Sequence, residues 1–366
     1  MNFIQRFADR AAKRHGRVQR LRLALPSVVL FVGFFLFFNA GEAFCSDSVK
    51  NWNRLSGPIP LINQSPIQLL FLQTPPDRAE TYPQGKFSVN LISSIANTLL
   101  WDQSGGYLGY VDTEIIRSSL EFKYGILSRL EIGMSIPFMY GSGGFMDHGI
   151  LEFEKLFGAS RHLRENEDKG GLANQYTYKI SRNGKVFIQG NNGSSGLGDI
   201  ALRLKGKILN ESDILPYVSA RFSVKVPTGD EDRAFGSGAV DYGCGLLIQK
   251  TVLKRLTTYF NADVVFPGQA YKQVDVSLQT FYNLMLGTEV KLTHGLSVMA
   301  QLSYITRPFR DTGLDLLDGR IWDLLLGLSY VTKGGYLVQG GLIEDIIASS
   351  DASADIVFFI NVGKNF

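Results

Sequence analysis

Residues 218–226, which read VSARFSVKV, decide the fold. The even-numbered positions of this stretch are apolar. The odd-numbered positions hold Ser219, Arg221, Ser223 and Lys225. Successive side chains of a β-strand point to opposite faces of the sheet, so one face of this strand is apolar and the other is polar and charged. The pattern therefore predicts a strand that separates an apolar environment from a polar one.

The same alternation recurs from residue 86 onward, in runs that are long for a soluble protein. Ten to twelve residues, tilted near ~45°, cross the ~25 Å apolar band of an outer membrane, whereas strands of globular proteins average about 5–6 residues. The pattern predicts strands at about 86–97, 113–126, 130–140, 199–209, 215–227, 238–251, 256–266, 273–292, 296–307, 319–332, 335–345 and 354–366.

The connections between these strands alternate in length. Short ones, such as 127–129 and 293–295, alternate with longer ones, such as 98–112 and 141–198. Short turns on one rim and longer loops on the other are typical of outer-membrane barrels, and a sheet in lipid must close because an open edge leaves backbone groups unpaired. Residues 86–366 are therefore predicted to be all-β, forming a transmembrane antiparallel up-and-down β-barrel of about twelve strands in the bacterial outer membrane.

Residues 1–43 have the composition of a signal peptide. Basic residues between Arg6 and Arg22 precede the apolar stretch 23–38, and the small residues Gly41 and Ala43 follow. This order is that of a secretory signal. The alternative is an uncleaved anchor, although the apolar stretch is shorter than the ~20 residues that span a bilayer. Removing the segment changes the net charge from +3 to −2, because it contains 7 of the 37 basic and 2 of the 34 acidic residues. The basic pI thus gives no support for nucleic-acid binding.

Two other segments do not have the strand pattern. Residues 44–85 contain six prolines, which cannot donate to a sheet, so they are predicted to be a periplasmic extension or an inward-folded plug. The plug is favoured because the apolar run 67–72 needs burial, and a loosely held tail is the alternative. In the long outer loop 141–198, Ile150, Phe153 and Phe157 lie at helical spacing. This spacing predicts a short amphipathic helix, either a lid or constriction or a cover on the barrel mouth.

Two glycine-rich blocks resemble a known family. Residues 196–199 read GLGD, and residues 225–230 read KVPTGD, followed by Gly236, Gly238 and DYG at 241–243. Both resemble the putative outer-membrane transporter family assigned to the meta-pathway of phenol degradation. The stretch from Gly57 to Pro66 resembles a related family of bacterial barrels of unknown function. The resemblance covers about residues 57–366 and implies a barrel that passes small or apolar molecules, with no established site to transfer. Physically, residues 227–230 are a strand-exit turn.

The polar face of the predicted strands lines the lumen. Its basic candidates are Arg117, Lys123, Arg203, Lys205, Arg221, Lys225 and Arg307, with Lys291 on the same parity. Its acids are Glu121, Glu131, Asp263, Asp275, Glu289 and Asp323. Together with the resemblance, these residues predict a channel or transporter for a small-molecule solute, and the basic excess favours anions. The alternative is a structural or interaction barrel whose narrow lumen is filled by salt bridges and the N-terminal segment.

The sequence does not predict an enzyme. An outer-membrane lipid hydrolase needs a nucleophile beside a base, and no serine shares a strand face with His15, His148, His162 or His294. No cofactor and no metal site are predicted, since the histidines and the two cysteines are few and scattered. The expected partners are outer-membrane lipid and the barrel-assembly machinery, because the last strand ends on Phe366 and resembles the terminal signal of such barrels.

Overall fold

The computed structural model describes residues 56–146, 175–346 and 352–366, and these residues are mostly strand. The strands are β1 (Phe87–Ser104), β2 (Tyr107–Leu127), β3 (Leu130–Ser142), β4 (Thr177–Arg182), β5 (Lys185–Gln189), β6 (Ser194–Leu197), β7 (Ile200–Leu209), β8 (Tyr217–Val226), β9 (Asp241–Leu253), β10 (Leu256–Phe266), β11 (Phe281–Lys291), β12 (Leu296–Ile305), β13 (Ile321–Val331), β14 (Tyr336–Asp345) and β15 (Ile356–Asn365). The helical elements are the 3-10 turns Gln68–Leu70, Glu231–Arg233 and Lys272–Val274 and the short helix α1 (Asp315–Asp318).

Twelve of these strands form a closed barrel. From β7 to β15 each strand pairs with the next along the chain, and β15 then pairs antiparallel with β1. The ring is completed by the pairs β1–β2, β2–β3 and β3–β7. The predicted all-β, antiparallel, twelve-stranded up-and-down barrel is confirmed.

The connections define two rims of the barrel. The turns that follow β2, β7, β9, β11 and β13 lie on one rim, where β1 begins and β15 ends, and we call it the short-turn rim. The longer connections that follow β3, β8, β10, β12 and β14 lie on the opposite rim, which we call the long-loop rim. The even number of strands brings both ends of the barrel chain to the short-turn rim.

The long-loop rim carries more strand than predicted. β1 and β2 continue through 98–112, which was expected to be a loop, and turn at Gly105 and Gly106, both with positive φ. The hairpin of β4 and β5 extends β2, and β6 pairs with β3, so part of 141–198 is sheet. The prediction of 98–112 as a loop was wrong because Leu99 and Leu100 are both buried, and a hairpin covered on both faces shows no alternation.

The strand predicted to begin at residue 273 begins later. Lys272–Val274 is a 3-10 turn, and β11 starts at Phe281. Tyr271 and Asp275 have φ values of 59° and 53°, which an extended strand does not allow. The apolar alternation at the start of the predicted strand therefore reflects burial beneath the loops of the long-loop rim rather than strand pairing.

Residues 56–86, which we call the inner segment, run through the lumen and back. Ser56 hydrogen-bonds to the end of β11 near the short-turn rim. Leu72 hydrogen-bonds to the first residue of β9 near the long-loop rim, and Tyr82 hydrogen-bonds to the start of β3 at the short-turn rim again. Apart from the turn Gln68–Leu70, this segment is irregular, so side chains of the barrel satisfy much of its backbone. The core of the molecule accordingly lies inside the barrel.

The outer face of the barrel is an apolar belt. Phe222, Leu246, Phe260, Leu286 and Ile360 are each at least 37% exposed and point away from the lumen. A contiguous belt of this kind is suited to the hydrocarbon band of a bilayer rather than to water.

No helix among the described residues is long and apolar enough to cross a membrane.

Some of the sequence-based predictions lie outside the described residues. They are the signal peptide at 1–43, residues 44–55 of the N-terminal segment, the helix of Ile150, Phe153 and Phe157, and the loop histidines His148 and His162.

Candidate functional site

The inner face of the barrel has two chemically different halves. One half, on β2, β3, β7, β8 and β10, we call the ionic wall. Its charged residues are Arg117, Glu121, Lys123, Glu131, Arg203, Lys205, Arg221, Lys225 and Asp263. The other half, on β1 and β12–β15, we call the neutral wall. Its buried polar residues are mostly uncharged and include Ser94, Gln301, Ser329, Gln339 and Asn361, together with the acid Asp323. The inner segment lies between these walls and hydrogen-bonds to both.

The two glycine-rich blocks meet at Lys225, near the long-loop rim. Lys225 Nζ lies 2.5 Å from Asp199 Oδ2 and donates to the carbonyl oxygen of Leu70 at 2.9 Å. Asp241 Oδ2 lies 3.4 Å from the same Nζ and accepts the backbone N–H of Leu72 at 2.8 Å. Lys225, Asp199 and Asp241, which we call the apex node, thus hold the turn of the inner segment from both sides.

The glycines of these blocks leave room for the carboxylate of Asp199. Gly229 donates its N–H to Asp199 Oδ1 at 2.8 Å, and a Cβ on Gly236 would collide with the same carboxylate. Thr228 Oγ1 donates to the carbonyl oxygen of Gly198 at 2.9 Å, which joins the two blocks. Residues 227–230 do leave a strand, as predicted, and they also position an acid that binds the lysine above.

Halfway along the lumen, Arg221 and Asp263 form a buried ion pair. The guanidinium meets the carboxylate with Nε–Oδ1 and Nη2–Oδ2 distances of 2.7 and 2.5 Å, a two-point geometry that is among the strongest in proteins. The pair spans β9 at Gly245, where a Cβ would collide with the carboxylate of Asp263. The remaining Nη1 donates to the carbonyl oxygen of Pro75 at 2.6 Å, so the pair also binds the inner segment.

Nearer the short-turn rim, Asp77 of the inner segment bridges two lysines. Its Oδ1 lies 2.6 Å from Lys123 Nζ, and its Oδ2 lies 3.0 Å from Lys205 Nζ. Lys205 also contacts Glu131 at 3.1 Å. Asn261 fixes the backbone of Asp77, because its Oδ1 accepts the N–H at 2.8 Å and its Nδ2 donates to the carbonyl oxygen at 2.9 Å.

A second carboxylate, Glu121, joins side chains of the wall to one another. It forms an ion pair with Arg203 and accepts hydrogen bonds from Ser119 at 2.7 Å and from Ser135. Arg117 lies on the same strand and is 7% exposed. This cluster connects β2, β3 and β7 across the lumen wall.

The neutral wall holds the inner segment through amides and close packing. Gln301 pairs with the backbone of Ile59, accepting its N–H at 2.6 Å and donating to its carbonyl oxygen at 3.2 Å. The side chain of Ile59 fills the space above Gly327, where a Cβ would collide with it. Asn63 donates to Asp323 Oδ2 at 2.7 Å, and Ser353 donates to the other oxygen at 2.9 Å.

Above the apex, the loops form an aromatic cap. Phe71 of the inner segment packs edge-on against Phe281 and Phe309, with ring centroids 6.2 and 5.5 Å away. Tyr271 stacks on Phe309 at 6.1 Å and meets Phe187 at 5.5 Å. Burial of its ring raises the pKa of the Tyr271 hydroxyl well above its usual value.

The lumen has little free space beside the inner segment. One cavity, between the segment and the walls around Arg221 and Asp323, measures about 40 Å³. Another, bounded by Asp77, Lys123 and Asn361, measures about 50 Å³. A water molecule needs roughly 10–15 Å³ on this measure, so each of these cavities has room for a few water molecules only.

The structure places most of the predicted lumen residues on the inner face. Arg117, Lys123, Arg203, Lys205, Arg221 and Lys225 lie on the ionic wall, and Lys291 ends β11 at the short-turn rim. Arg307 lies instead in the loop after β12, 3.9 Å from both Asp311 and Asp318, because that strand ends at Ile305. Asp275 is also outside the lumen, with a side chain 95% exposed, because β11 begins only at Phe281.

Sequence patterning missed the partners that the inner segment and the loops supply. Asp77, Asp199 and Asp241 each bind a basic residue of the ionic wall, but none was among the predicted lumen residues. Asp199 ends the quoted block GLGD and Asp241 begins DYG, so the signal that could have found these two was the acid in each glycine-rich block.

The described residues outside the lumen offer little chemistry. No group of three or more His, Cys, Asp or Glu in the described ranges could hold a metal ion. His294 lies in the turn after β11, and Cys244 is exposed on the outer face of β9.

The fold and the lumen define a transmembrane β-barrel with an internal segment. The chain belongs to the family described as "Protein of unknown function (DUF3187)", whose model matches residues 45–366. The expected relation to a family of barrels of unknown function is thus confirmed. No curated protein shows significant sequence similarity to the chain.

Solved structures share the fold. The chain is similar to an outer membrane channel from Pseudomonas putida F1, with 13% identity, a TM-score of 0.54 and coverage of 80% of this chain and 100% of that one. It is less similar to the NanC porin, with 8% identity, a TM-score of 0.44 and coverage of 75% and 98%. For the CymD monoaromatic hydrocarbon channel the values are 11%, 0.37, 78% and 89%. At such low identities the likeness concerns the fold alone.

Proposed function

We propose that the protein is an outer-membrane channel or transporter for small molecules, and that the structure is its closed state, with the inner segment as the plug. The apolar belt supports a location in the bacterial outer membrane, where lipid is its surrounding partner. The fold is that of a protein described as an outer membrane channel. The observation that carries the proposal is the path of the inner segment, which fills the lumen and has both of its ends at the short-turn rim.

The path of the inner segment allows it to leave the barrel. Ser56 and Tyr82 both lie at the short-turn rim, and the apex around Leu70 lies at the far end of the lumen. A chain that enters and leaves through the same opening can be withdrawn as a loop, without being threaded through the barrel. Such a withdrawal would leave the twelve-stranded ring intact, because no strand of the ring is part of the segment.

The polar contacts of the inner segment are of a kind that water can replace. The apex node, Arg221, Lys205 and Gln301 bind it by hydrogen bonds and ion pairs. Hydrogen bonds between neutral groups contribute about 0.5–1.5 kcal/mol each and those to charged groups about 1.5–3 kcal/mol, because water would otherwise satisfy the same groups. A ligand that replaces these polar contacts therefore favours release of the plug.

A structural or interaction barrel with a permanently filled lumen is the second candidate. The aromatic cap favours it, since Phe71 is 3% exposed and packs against Phe281 at the start of β11 and Phe309 in the loop after β12. On this alternative the inner segment is simply the hydrophobic core of the barrel and never leaves it. The two candidates differ in whether removing the segment opens a conducting path.

The C-terminal residue fits an assembly role. Phe366 donates its N–H to the carbonyl oxygen of Phe87 at 2.8 Å, and the two rings stack 4.5 Å apart across the seam between β1 and β15. Recognition of this terminus by the barrel-assembly machinery would therefore act on the strand that closes the ring.

Single-channel conductance in planar bilayers tests the proposed function. We expect the refolded mature protein to be closed and the variant without residues 44–85 to show discrete conductance steps. The matched control keeps the segment but ties it to the wall by a crosslink between Leu72→Cys and Gly243→Cys, in a background with Cys45→Ser and Cys244→Ser. Leu72 lies directly over Gly243. The crosslinked protein should stay closed under conditions that open the unlinked one. Folding of the deletion variant is judged by its heat-modifiable mobility in gel electrophoresis. A deletion variant that folds but does not conduct would establish the filled structural barrel instead.

A further inference from the structure

The plug carries a carboxylate into a site that two lysines of the wall form. One carboxylate oxygen of Asp77 lies 2.6 Å from Lys123 Nζ and the other lies 3.0 Å from Lys205 Nζ, so each oxygen contacts one lysine. The wall supplies these two lysines from different strands, β2 and β7, which lie on either side of β3. Their positions are therefore set by the barrel and not by the plug.

The charge of this site is balanced by the plug. Lys205 has a second acid, Glu131 on β3, at 3.1 Å. Within the described part of the chain, Asp77 is the one ion-pair partner of Lys123. Withdrawal of the plug thus leaves one ammonium group in the lumen without its carboxylate. An ammonium group on the wall of a narrow lumen attracts anions when its carboxylate partner leaves, so an open lumen favours a replacement anion at Lys123.

The site is reachable while the plug is in place. The side chains of Lys123 and Asp77 are 15% and 14% exposed, and both line the cavity of about 50 Å³. Across that cavity lie Asn90, Gln339 and Asn361, which carry amide groups but no charge. Arg78 and Glu121 also line the cavity, so a small anion there meets the ammonium group of Lys123 and the guanidinium of Arg78, opposed by the carboxylates of Asp77 and Glu121.

We propose that Lys123 and Lys205 form a recognition site for a carboxylate-bearing solute, and that Asp77 is its built-in occupant in the closed state. The inference rests on the proposed function, because the solute replaces a carboxylate that belongs to the plug. A tethered group competes at an effective concentration in the millimolar range, so a solute must be abundant or make further contacts in the lumen. Binding of the solute and release of the plug are then reciprocally coupled.

Acetate and its neutral isostere acetamide are suitable probes for this site. The measurement is the shift of the thermal unfolding midpoint of the full mature chain at constant ionic strength, with chloride replaced by acetate. In Asp77→Asn the built-in carboxylate is gone, and we expect acetate to act at a concentration at least tenfold lower than in the wild type. Acetamide should not shift the midpoint in either protein. Adding Lys123→Gln to Asp77→Asn should abolish the acetate effect, whereas adding Lys207→Gln should preserve it.

Two outcomes would overturn this inference. One is an equal acetate effect on the wild type and Asp77→Asn, and the other is an effect that survives Lys123→Gln, since both would indicate a general salt effect. If Asp77→Asn does not fold, the variant without residues 44–85 takes its place, and acetate should shift its midpoint only when Lys123 is present.

The conductance experiment separates failure of this site from failure of the proposed function. Conductance on plug deletion with no acetate dependence on Lys123 would keep the channel and remove the carboxylate site. Acetate binding that depends on Lys123, in a deletion variant that never conducts, would keep a carboxylate-binding barrel and remove the channel.

Discussion

The ionic wall and the neutral wall hold one segment by different physical means. On the ionic wall, Lys225 and Arg221 donate to backbone carbonyl oxygens of the inner segment while they remain paired to acids. On the neutral wall, Gln301 hydrogen-bonds to the backbone of Ile59, and the side chain of Ile59 packs against Gly327. Buried ion pairs contribute little net stability but are costly to break, whereas packing contributes in proportion to the area it buries. The ionic wall therefore fixes the register of the segment, and the neutral wall contributes more of its stabilisation.

Both walls have a glycine where a side chain approaches the sheet closely. Gly245 lets Arg221 reach Asp263 across an intervening strand, and Gly327 lets Ile59 approach the sheet. A glycine in a strand commonly marks such a close approach. The high glycine content of this chain thus serves the lumen as well as the turns.

The largest expected effect comes from breaking the ionic wall at the apex node. Lys225→Met leaves Asp199 and Asp241 as two buried carboxylates without their shared cation. Loss of one partner of a buried ion pair destabilises by about 3–5 kcal/mol. We expect the free energy of unfolding in detergent micelles, measured by guanidinium titration, to fall by about that amount, and conductance steps to appear.

The matched control is Lys207→Met, a lysine on the neighbouring strand near the short-turn rim. Lys207 is half-buried and forms no ion pair within the described residues, so this substitution should change the free energy of unfolding by less than about 1 kcal/mol. Equal losses in the two variants would show that the apex node has no special part in holding the segment. A large stability loss without conductance would favour the structural barrel.

The next effect tests packing on the neutral wall. Ile59 is fully buried above Gly327, so Ile59→Ala leaves a cavity that the rigid sheet cannot fill. Truncations of this kind cost about 2–5 kcal/mol, and we expect the lower part of that range because the segment can shift. The free energy of unfolding is measured by the same guanidinium titration. Ile59→Val is the graded control, with an expected loss of about 0.5–1.5 kcal/mol. If the free energy of unfolding fell no further in Ile59→Ala than in Ile59→Val, packing against the neutral wall would not stabilise the segment.

Alternation made the barrel predictable because lipid and lumen impose opposite demands on neighbouring residues. The stretch 218–226 lies wholly within β8, and its apolar residues face outward while Arg221 and Lys225 face the lumen. Where both faces are covered by protein, the signal disappears, as at Leu99 and Leu100. Where loops bury apolar residues at every second position, it misleads, as before Phe281.

The lumen site was only half predictable for a related reason. Strand parity identifies Lys123 and Lys205 as inward-facing, because parity is a local property of a strand. It does not identify Asp77, since the inner segment is irregular and its position depends on long-range contacts such as those with Asn261. The role of Asp199 was also hidden, because its partner Lys225 is 26 residues away along the chain.

The smallest expected effect tests a single neutral hydrogen bond between wall and segment. Ser94 Oγ donates to Gln64 Oε1 at 2.9 Å, and Ser94→Ala would leave that buried amide oxygen without this donor. Because a lone neutral hydrogen bond contributes about 0.5–1.5 kcal/mol, we expect a loss near 1 kcal/mol and no conductance, since the apex node still holds the segment. Ser93→Ala, one residue away, removes a hydroxyl that pairs with Ser118 on the outer face and serves as the control for strand propensity. If Ser94→Ala opened the channel as readily as Lys225→Met, the inference that the ionic wall fixes the register of the segment would be wrong. One neutral hydrogen bond would then control the plug as strongly as the buried charges do.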